Sequence, residues 1–420
     1  MNLPSPTPSA LSVLLLALAE PVAAGGQVLV VDDDGGAGVA FTDIQPAVLA
    51  AAEGDTVLVA AGTYGSFTIS GRSLVVAADA GAAVKVFGRV EVNSVSPDQR
   101  VALRGLEILV PVFAKGVQLL GNQGPVWIED CLIRNGNLGQ GEAPEGVLVA
   151  DSAPVVFARC QLFGSTAGQP GAGSGLVARN SFVHLYDSLL EGGAGALGDM
   201  GHGGHGARVD GGLLYAAGTT FLAADGGNGV TIQIPGFTFC KDAGDGGHGL
   251  LLEETAFGPP AAVLRDVVLQ SGLGGKASDP VNCSNGQDGS PTAVLAGSLS
   301  TLPGTSRSFS IGSPVRAGQP AALSFGGEPG DLVILATAPA PGGVILPGQP
   351  DPFLLDPFAP FFVFLGAVPA GGELLVNAVT APIAGGQESV AAWMQGAFLS
   401  PGLELVLGSP SVLSLLDPAF

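Results

Sequence analysis

The chain has 420 residues, of which 67 are glycine and 32 proline, with 47% hydrophobic and only 12% charged. That apolar content supports a sizeable core and excludes a disordered polar chain, while the scarcity of charged helix formers excludes a helical bundle or coiled coil. Acids outnumber bases 36 to 15, and the net charge of −21 repels phosphate backbones, so nucleic acid is not an expected partner.

The first predicted element is a targeting segment. Residues 10–19 read ALSVLLLALA, the length of a signal-peptide core and too short to span a bilayer. Val22-Ala23-Ala24 supplies the small residues of a cleavage site, so residues 1–24 are expected to be a signal peptide, although no Lys or Arg precedes Arg72. The expectation is a secreted or cell-surface protein with no membrane span in the mature chain. An oxidising compartment lets the cysteines Cys131, Cys160, Cys240 and Cys283 form disulfides.

A short helix is predicted next. Thr42 and Gln45 form a capping-box pair, Pro46 falls in the first turn, Ile44, Val48 and Leu49 share one face, and Gly54 ends the element.

From there to about residue 300 the chain repeats. Apolar residues at i and i+2, a small residue at i+5 and an apolar residue at i+7 recur as Val126, Ile128, Cys131, Ile133, then as Val155, Phe157, Cys160, Leu162 and as Val183, Leu185, Ser188, Leu190. The pattern returns as Leu214, Ala216, Thr219, Phe221 and, after an insertion, as Ala262, Leu264, Val267, Leu269. A second short strand starts after a glycine before each copy, as in Gly146-Val147-Leu148-Val149, Gly175-Leu176-Val177, Gly206-Ala207-Arg208-Val209 and Gly249-Leu250-Leu251-Leu252. Short runs of period two are strands with one buried face, and a repeat of about 28 residues is one coil of a parallel β-solenoid.

The opening of this region also carries a family resemblance. Val31-Asp32-Asp33-Asp34-Gly35-Gly36, Phe41-Thr42-Asp43-Ile44-Gln45, Gly54-Asp55-Thr56-Val57-Leu58-Val59 and Ala61-Gly62-Thr63-Tyr64 resemble the start of right-handed parallel β-helix proteins of the pectin-lyase-like superfamily. The resemblance covers residues 28 to 290. It implies an all-β chain in which an amphipathic helix caps the first coil. It implies little about activity, because that fold hosts lyases, hydrolases, epimerases and adhesins.

The expected organisation is a signal peptide at 1–24, a right-handed parallel β-helix at 25–300 and a β-sandwich-like domain at 301–420. In the last, short strands such as Ser308–Ile311, 321–325, 331–336, 373–379 and 391–399 alternate with Pro/Gly turns. Leu332 and Ile334, and Leu374 and Val376, are expected to face inward.

Chemistry-bearing residues concentrate in a duplicated glycine-rich segment. Asp199-Met200-Gly201-His202-Gly203-Gly204-His205-Gly206 aligns with Asp242-Ala243-Gly244-Asp245-Gly246-Gly247-His248-Gly249. Stacked on neighbouring coils, Asp199, His202, His205, Asp242, Asp245 and His248 form a candidate divalent-metal site, for zinc where histidine joins carboxylate and for calcium with carboxylates alone. The same segments also suit low-complexity turns with solvated side chains. Outward on the repeat, Trp127, Val156, His184 and Tyr215 form a column that can stack on sugar rings or pack beneath a loop or the second domain. Asp130, Arg159 and Asp187 form a neighbouring column, expected as a surface ionic ladder.

No catalytic residues are assigned. Gly-His-Gly matches a polygalacturonase tripeptide without the paired aspartates and Arg-x-Lys element of that family, and Val126-Trp127-Ile128-Glu129-Asp130 matches a pectate-lyase strand with Cys131 where a histidine belongs. The expected function is an extracellular binding or structural module whose partner is a glycan or cell-surface component. The alternative is a polysaccharide lyase or glycoside hydrolase on the same fold. A disulfide is expected between Cys240 and Cys283, whose polar loops flank one coil, with Cys131 and Cys160 as buried thiols.

Overall fold

A computed structural model of the chain describes residues 14–16, 26–36, 39–110, 116–136, 145–166, 171–197, 201–235, 237–254, 256 and 258–420. The expected signal peptide lies outside the described residues apart from Leu14–Leu16, which runs parallel to Ala378–Thr380 at one edge of the C-terminal domain. The chain is almost entirely β, with 52% strand and 2% helix.

Parallel strands stack into three ladders that wrap one apolar interior. The first runs through Asp55–Val59, Leu74–Ala78, Val101–Arg104, Val126–Glu129 and Val155–Ala158. The second runs through Phe67–Ser70, Val90–Asn93, Val117–Leu120 and Val147–Ala150. Two long strands, Leu176–Tyr186 and Ala207–Ala217, belong to both ladders and join them along one side. The third ladder, from Gly62–Tyr64 to Val268–Gln270, closes the coil. This is a parallel β-helix, in which each coil buries its inner face by stacking on its neighbours. The predicted register holds. Val126, Val155, Val183 and Leu214 are successive partners and fully buried. Cys131, Cys160, Ser188 and Thr219 are buried beside the next turn.

The capping helix spans Ile44–Ala50 and covers the first coil with Ile44, Ala47 and Val48. Its details differ from expectation. Asp43, not Thr42, is the N-cap, accepting from Ile44 N at 2.8 Å. Gln45 instead accepts from Thr68 N at 2.6 Å, tying the helix to the next strand. Leu49 is 67% exposed. Ala51, not Gly54, is the C-cap.

Beyond the last solenoid strand, Ser298–Leu302, two sheets face each other. Ser308–Ile311, Pro320–Gly326 and Glu373–Thr380 form one, and Val315–Arg316, Leu405–Leu416, Ser389–Leu399, Leu332–Ala338 and Phe361–Ala367 form the other. The second sheet is apolar on both faces. Val333, Leu335, Met394 and Leu413 face the sandwich core, whereas Ala336, Trp393 and Val412 face the solenoid. This corrects the expected parity: Leu332 is 39% exposed, and Ile334 packs toward the solenoid.

Candidate functional site

The column Trp127, His184, Tyr215 lies on the outer wall of the first ladder, and the C-terminal domain covers it. Trp127 meets Trp393 edge to face with ring centroids 4.6 Å apart. Tyr215 donates its hydroxyl to Asp351 at 2.8 Å, and Arg265 donates to the same carboxylate at 3.0 Å. His184 is buried, its Nδ1 has no hydrogen-bond partner, and burial pushes its pKa down to about 4. Packing beneath the second domain is therefore what these side chains do.

The expected surface ladder is likewise part of the domain interface. Glu129 is fully buried and lies 3.1 Å from Arg104 and 3.0 Å from Arg159. It accepts from Val412 N at 2.7 Å and Ser411 Oγ at 2.8 Å. Arg104 and Arg159 reach across to Val412 O at 2.7 Å and Phe309 O at 2.9 Å. Asp130 braces both guanidinium groups at 2.9 and 2.7 Å. Burial raises the pKa of Asp187 to about 6.

The glycine-rich segments have their own architecture. Residues 171–175, 192–196, 201–206, 223–229, 242–249, 271–277 and 284–290 run side by side in two layers. Their glycines avoid the left-handed region, and their hydrogen bonds go to neighbouring segments with a period of three. One chain of bonds crosses both layers: Gly193 N to Gly173 O, Gly204 N to Gly193 O, Ala224 N to Gly204 O, Gly247 N to Ala224 O, Gly272 N to Gly247 O and Gly289 N to Gly272 O. A second set joins segments within a layer, such as Gly203 N to Asp245 O and Gly206 N to His248 O. Three residues per turn with no bonds along a segment is the geometry of a polyproline II helix. Glycine is required inside such a bundle, because a Cβ at Gly204 or Gly247 would strike a carbonyl oxygen of the next segment.

Every third residue points outward and leaves its own N–H unpaired within the bundle. The candidate metal ligands fill that vacancy. His202 Nδ1 accepts from Asp245 N at 3.0 Å, His205 Nδ1 from His248 N at 2.9 Å and His248 Nδ1 from Ser290 N at 2.9 Å. Asp242 and Asp245 accept from Ser284 N at 2.6 Å and Gln287 N at 2.7 Å. In the other layer, Asp225 and Asn228 serve Leu273 N and Lys276 N in the same way. A neutral imidazole that accepts at Nδ1 carries its proton on Nε2, which leaves neither nitrogen a lone pair for a metal. Asp199 lies outside the described residues. The expected Cys240–Cys283 disulfide is present with Cα atoms 5.9 Å apart, and Cys131 and Cys160 are free and buried.

One charged cluster was not anticipated. On the outer wall of the second ladder, Arg179, Asp210 and Glu253 are successive register partners, so their backbones stack one coil apart. Arg208 Nε lies 3.4 Å from Asp210 and also contacts Glu253, while Arg179 lies 3.5 Å from Asp210 and 3.9 Å from Glu145. The Asp210 side chain is 3% exposed and Glu253 23%, while Arg208 and Arg179 open to solvent at 35% and 38%. Burial, reinforced by the hydrogen bond with Asp210, lifts the Glu253 pKa above the usual carboxylate range, against the pull of Arg208. The sequence signal was available. Strand parity after Gly206 and Gly249 puts Arg208, Asp210 and Glu253 outward, but the strands read from the repeat stop one residue before Asp210 and Glu253.

Chemically, the cluster is two neighbouring acidic side chains flanked by guanidinium donors. Such a set can bind hydroxyl-rich ligands. Glycoside hydrolysis needs carboxyl groups about 5–5.5 Å apart for a retaining enzyme or about 6.5–9.5 Å for an inverting one. Asp210 and Glu253 are register partners on neighbouring coils, and both lie within reach of Arg208. The one group of three acidic side chains close enough together to hold an ion among the described residues is Asp32, Asp33 and Asp34, at the surface. Asp33 there accepts from Thr63 N at 2.8 Å and shapes a turn.

Comparison with known proteins assigns no family: no protein-family model matches the chain, and no curated protein matches its sequence.

Proposed function

We propose that this chain is a non-catalytic binding and structural module that works outside the cell, built on a right-handed, pectin-lyase-like β-helix and taking a glycan as ligand at its outer wall. The observation that carries this reading is the cluster of Arg179, Arg208, Asp210 and Glu253, a stacked set of sugar-type donors and acceptors that the C-terminal domain leaves partly open. The glycan subsite moves there from Trp127, His184 and Tyr215, which are spent on the domain interface. Two further facts support the reading. The histidines and aspartates of the glycine-rich segments hold backbone N–H groups, and a disulfide suits an oxidising compartment. A net charge of −21 favours neutral glycans over polyanionic ones.

The test is a glycan array with product analysis of each hit, on wild type and on Arg208→Ala. The expected result is a neutral glycan retained intact by wild type and released by the variant. No hit on the array, or retention unchanged by Arg208→Ala, defeats the reading. Cleaved product favours the alternative, a lyase or hydrolase. What supports that alternative is that Asp210 and Glu253 are register partners and that burial raises the Glu253 pKa, as a general acid requires.

A further inference from the structure

Val230–Ile234 and Phe237–Lys241 form a two-stranded antiparallel ribbon that pairs with no other strand among the described residues. Its register puts Val230, Ile232, Ile234, Phe237, Phe239 and Lys241 on one face and Thr231, Gln233, Thr238 and Cys240 on the other. An amphipathic ribbon normally turns its apolar face to the protein. This one is held through one rung of its polar face, and beyond that rung Gln233, Thr238 and the apolar side chains are all exposed. Thr231 and Cys240, partners on a single rung, anchor the polar face: Thr231 Oγ1 lies 2.7 Å from Ser278 Oγ, and Cys240 is bonded to Cys283. Ile232, Ile234, Phe237 and Phe239 are left 44%, 49%, 68% and 55% exposed, with the two phenyl rings stacked at 6.2 Å. A free hairpin is marginally stable in water. Here a covalent staple fixes both its existence and the face it presents.

We infer that this ribbon is a membrane-docking tip that inserts its apolar end into the headgroup and acyl boundary of a lipid surface. Three observations select that occupant. The patch lies exposed on a two-stranded ribbon that pairs with no other strand among the described residues, whereas small ligands are held in concave sites. It offers on the order of 400 Å² of apolar surface, half of what each partner buries in a stable dimer, and copies carrying −21 charges repel one another. Two of the four lysines mark its base: Lys241 ends the apolar face, and the Lys276 carbonyl accepts from Gly229 N beside the first strand. Apolar and aromatic residues at a tip with lysines behind them match the order of acyl chain, interface and headgroup. Because the rest of the chain is acidic, the favoured surface is zwitterionic.

The test is flotation of the full chain with phosphatidylcholine vesicles. The expected result is co-flotation, weakened when phosphatidylglycerol is mixed in and reduced at least tenfold by Ile234→Ser/Phe237→Ser. A second variant, Phe237→Trp, should shift its emission to the blue on vesicle addition, while the buried Trp127 and Trp393 do not respond. Absence of wild-type binding to any vesicle, equal binding by the serine variant, or a lipid-free dimer abolished by Ile234→Ser/Phe237→Ser would overturn the inference. Glycan retention at Arg208 is read separately and does not depend on this outcome.

Discussion

His205 and His248 lie one above the other on successive coils, ring centroids 5.2 Å apart and 6° from parallel, and each offers its Nδ1 to the backbone N–H one coil further on. A nitrogen that accepts a hydrogen bond carries no proton, so a proton taken up at Nδ1 would break the bond it holds. Burial, helped by His248, Arg208 and His202 nearby, pushes the His205 pKa down to about 4.

A group held below its unfolded pKa of about 6.5 makes the unfolded state bind more protons between those two values. The His205 contribution to stability is therefore full above about pH 6.5, shrinks as the pH falls and is gone near pH 4. With the ring partly exposed, the loss amounts to roughly 2 kcal/mol. His184, also lowered to about 4, acts with the same sign, while Asp187, raised to about 6, acts with the opposite one. Denaturant unfolding at pH 7, 5.5 and 4 on wild type and His205→Asn isolates the effect. Asn228 fills the equivalent role in the other layer, so the variant should fold and show a shallower acid slope. Parallel slopes would remove His205 from the account.

The glycine bundle makes a steric prediction. A Cβ at Gly247 would collide with Gly204 O, so Gly247→Ala must push two segments apart and break the transverse bonds on either side. The expected cost is about 2–4 kcal/mol, by overpacking and loss of buried hydrogen bonds. Gly371, exposed and with no atom near its missing Cβ, is the control, and Gly371→Ala should change stability by less than about 0.5 kcal/mol. Equal midpoints in urea for the two variants would contradict the bundle.

How far the fold could be read from residues alone depended on whether one physical constraint acted on them. Val126, Val155, Val183 and Leu214 are constrained only by the solenoid interior, so their spacing revealed it. Leu332 and Ile334 belong to a sheet buried on both faces, where alternation carries no parity, and they were assigned the wrong way round. Trp127 and Tyr215 face outward on the solenoid, as read, but nothing local shows that a second domain lies against them. Thr42 and Asp43 are both good caps, and only the path of the chain chooses Asp43. In the 201–206 and 242–249 segments, glycine serves sharp turns and close extended packing equally well. There the three-residue period was visible, but the packing it implies was not. Asp210 and Glu253 are register partners on neighbouring coils, but an insertion sets them 43 residues apart, beyond the plain repeat of the sequence.

The domain interface should fail as a unit when its buried charge is removed. Glu129→Ala leaves Arg104 and Arg159 with the more exposed Asp130 alone and leaves Val412 N and Ser411 Oγ without this acceptor. Breaking one partner of a buried ionic set costs about 3–5 kcal/mol. Calorimetry should resolve two transitions in the variant where wild type shows one, because the solenoid and the sandwich keep separate cores. A single transition at the wild-type temperature would mean that the Glu129 network does not couple the domains.

The cysteines divide into two populations that a thiol reagent can separate. Cys131 and Cys160 occupy equivalent positions on consecutive coils, fully buried, and burial raises both thiol pKa values, to about 12 for Cys131. A protonated, inaccessible thiol does not react, so native protein should show no labelling by a maleimide and two labels once unfolded. Cys240 and Cys283 should appear only after reduction, as one linked peptide in a non-reducing map. Their bridge spans 43 residues of sequence, and in the chain-entropy model closing such a loop stabilises by about 4 kcal/mol. Cys240→Ser/Cys283→Ser should therefore lower the unfolding free energy by up to that amount. Hydrogen exchange should rise first in 230–241, where the staple holds the ribbon against the Ser278 loop, and in 284–290, which lies at the open end of the glycine bundle. Exchange that rises uniformly along the solenoid would show instead that the bridge supports the whole fold rather than its free edge.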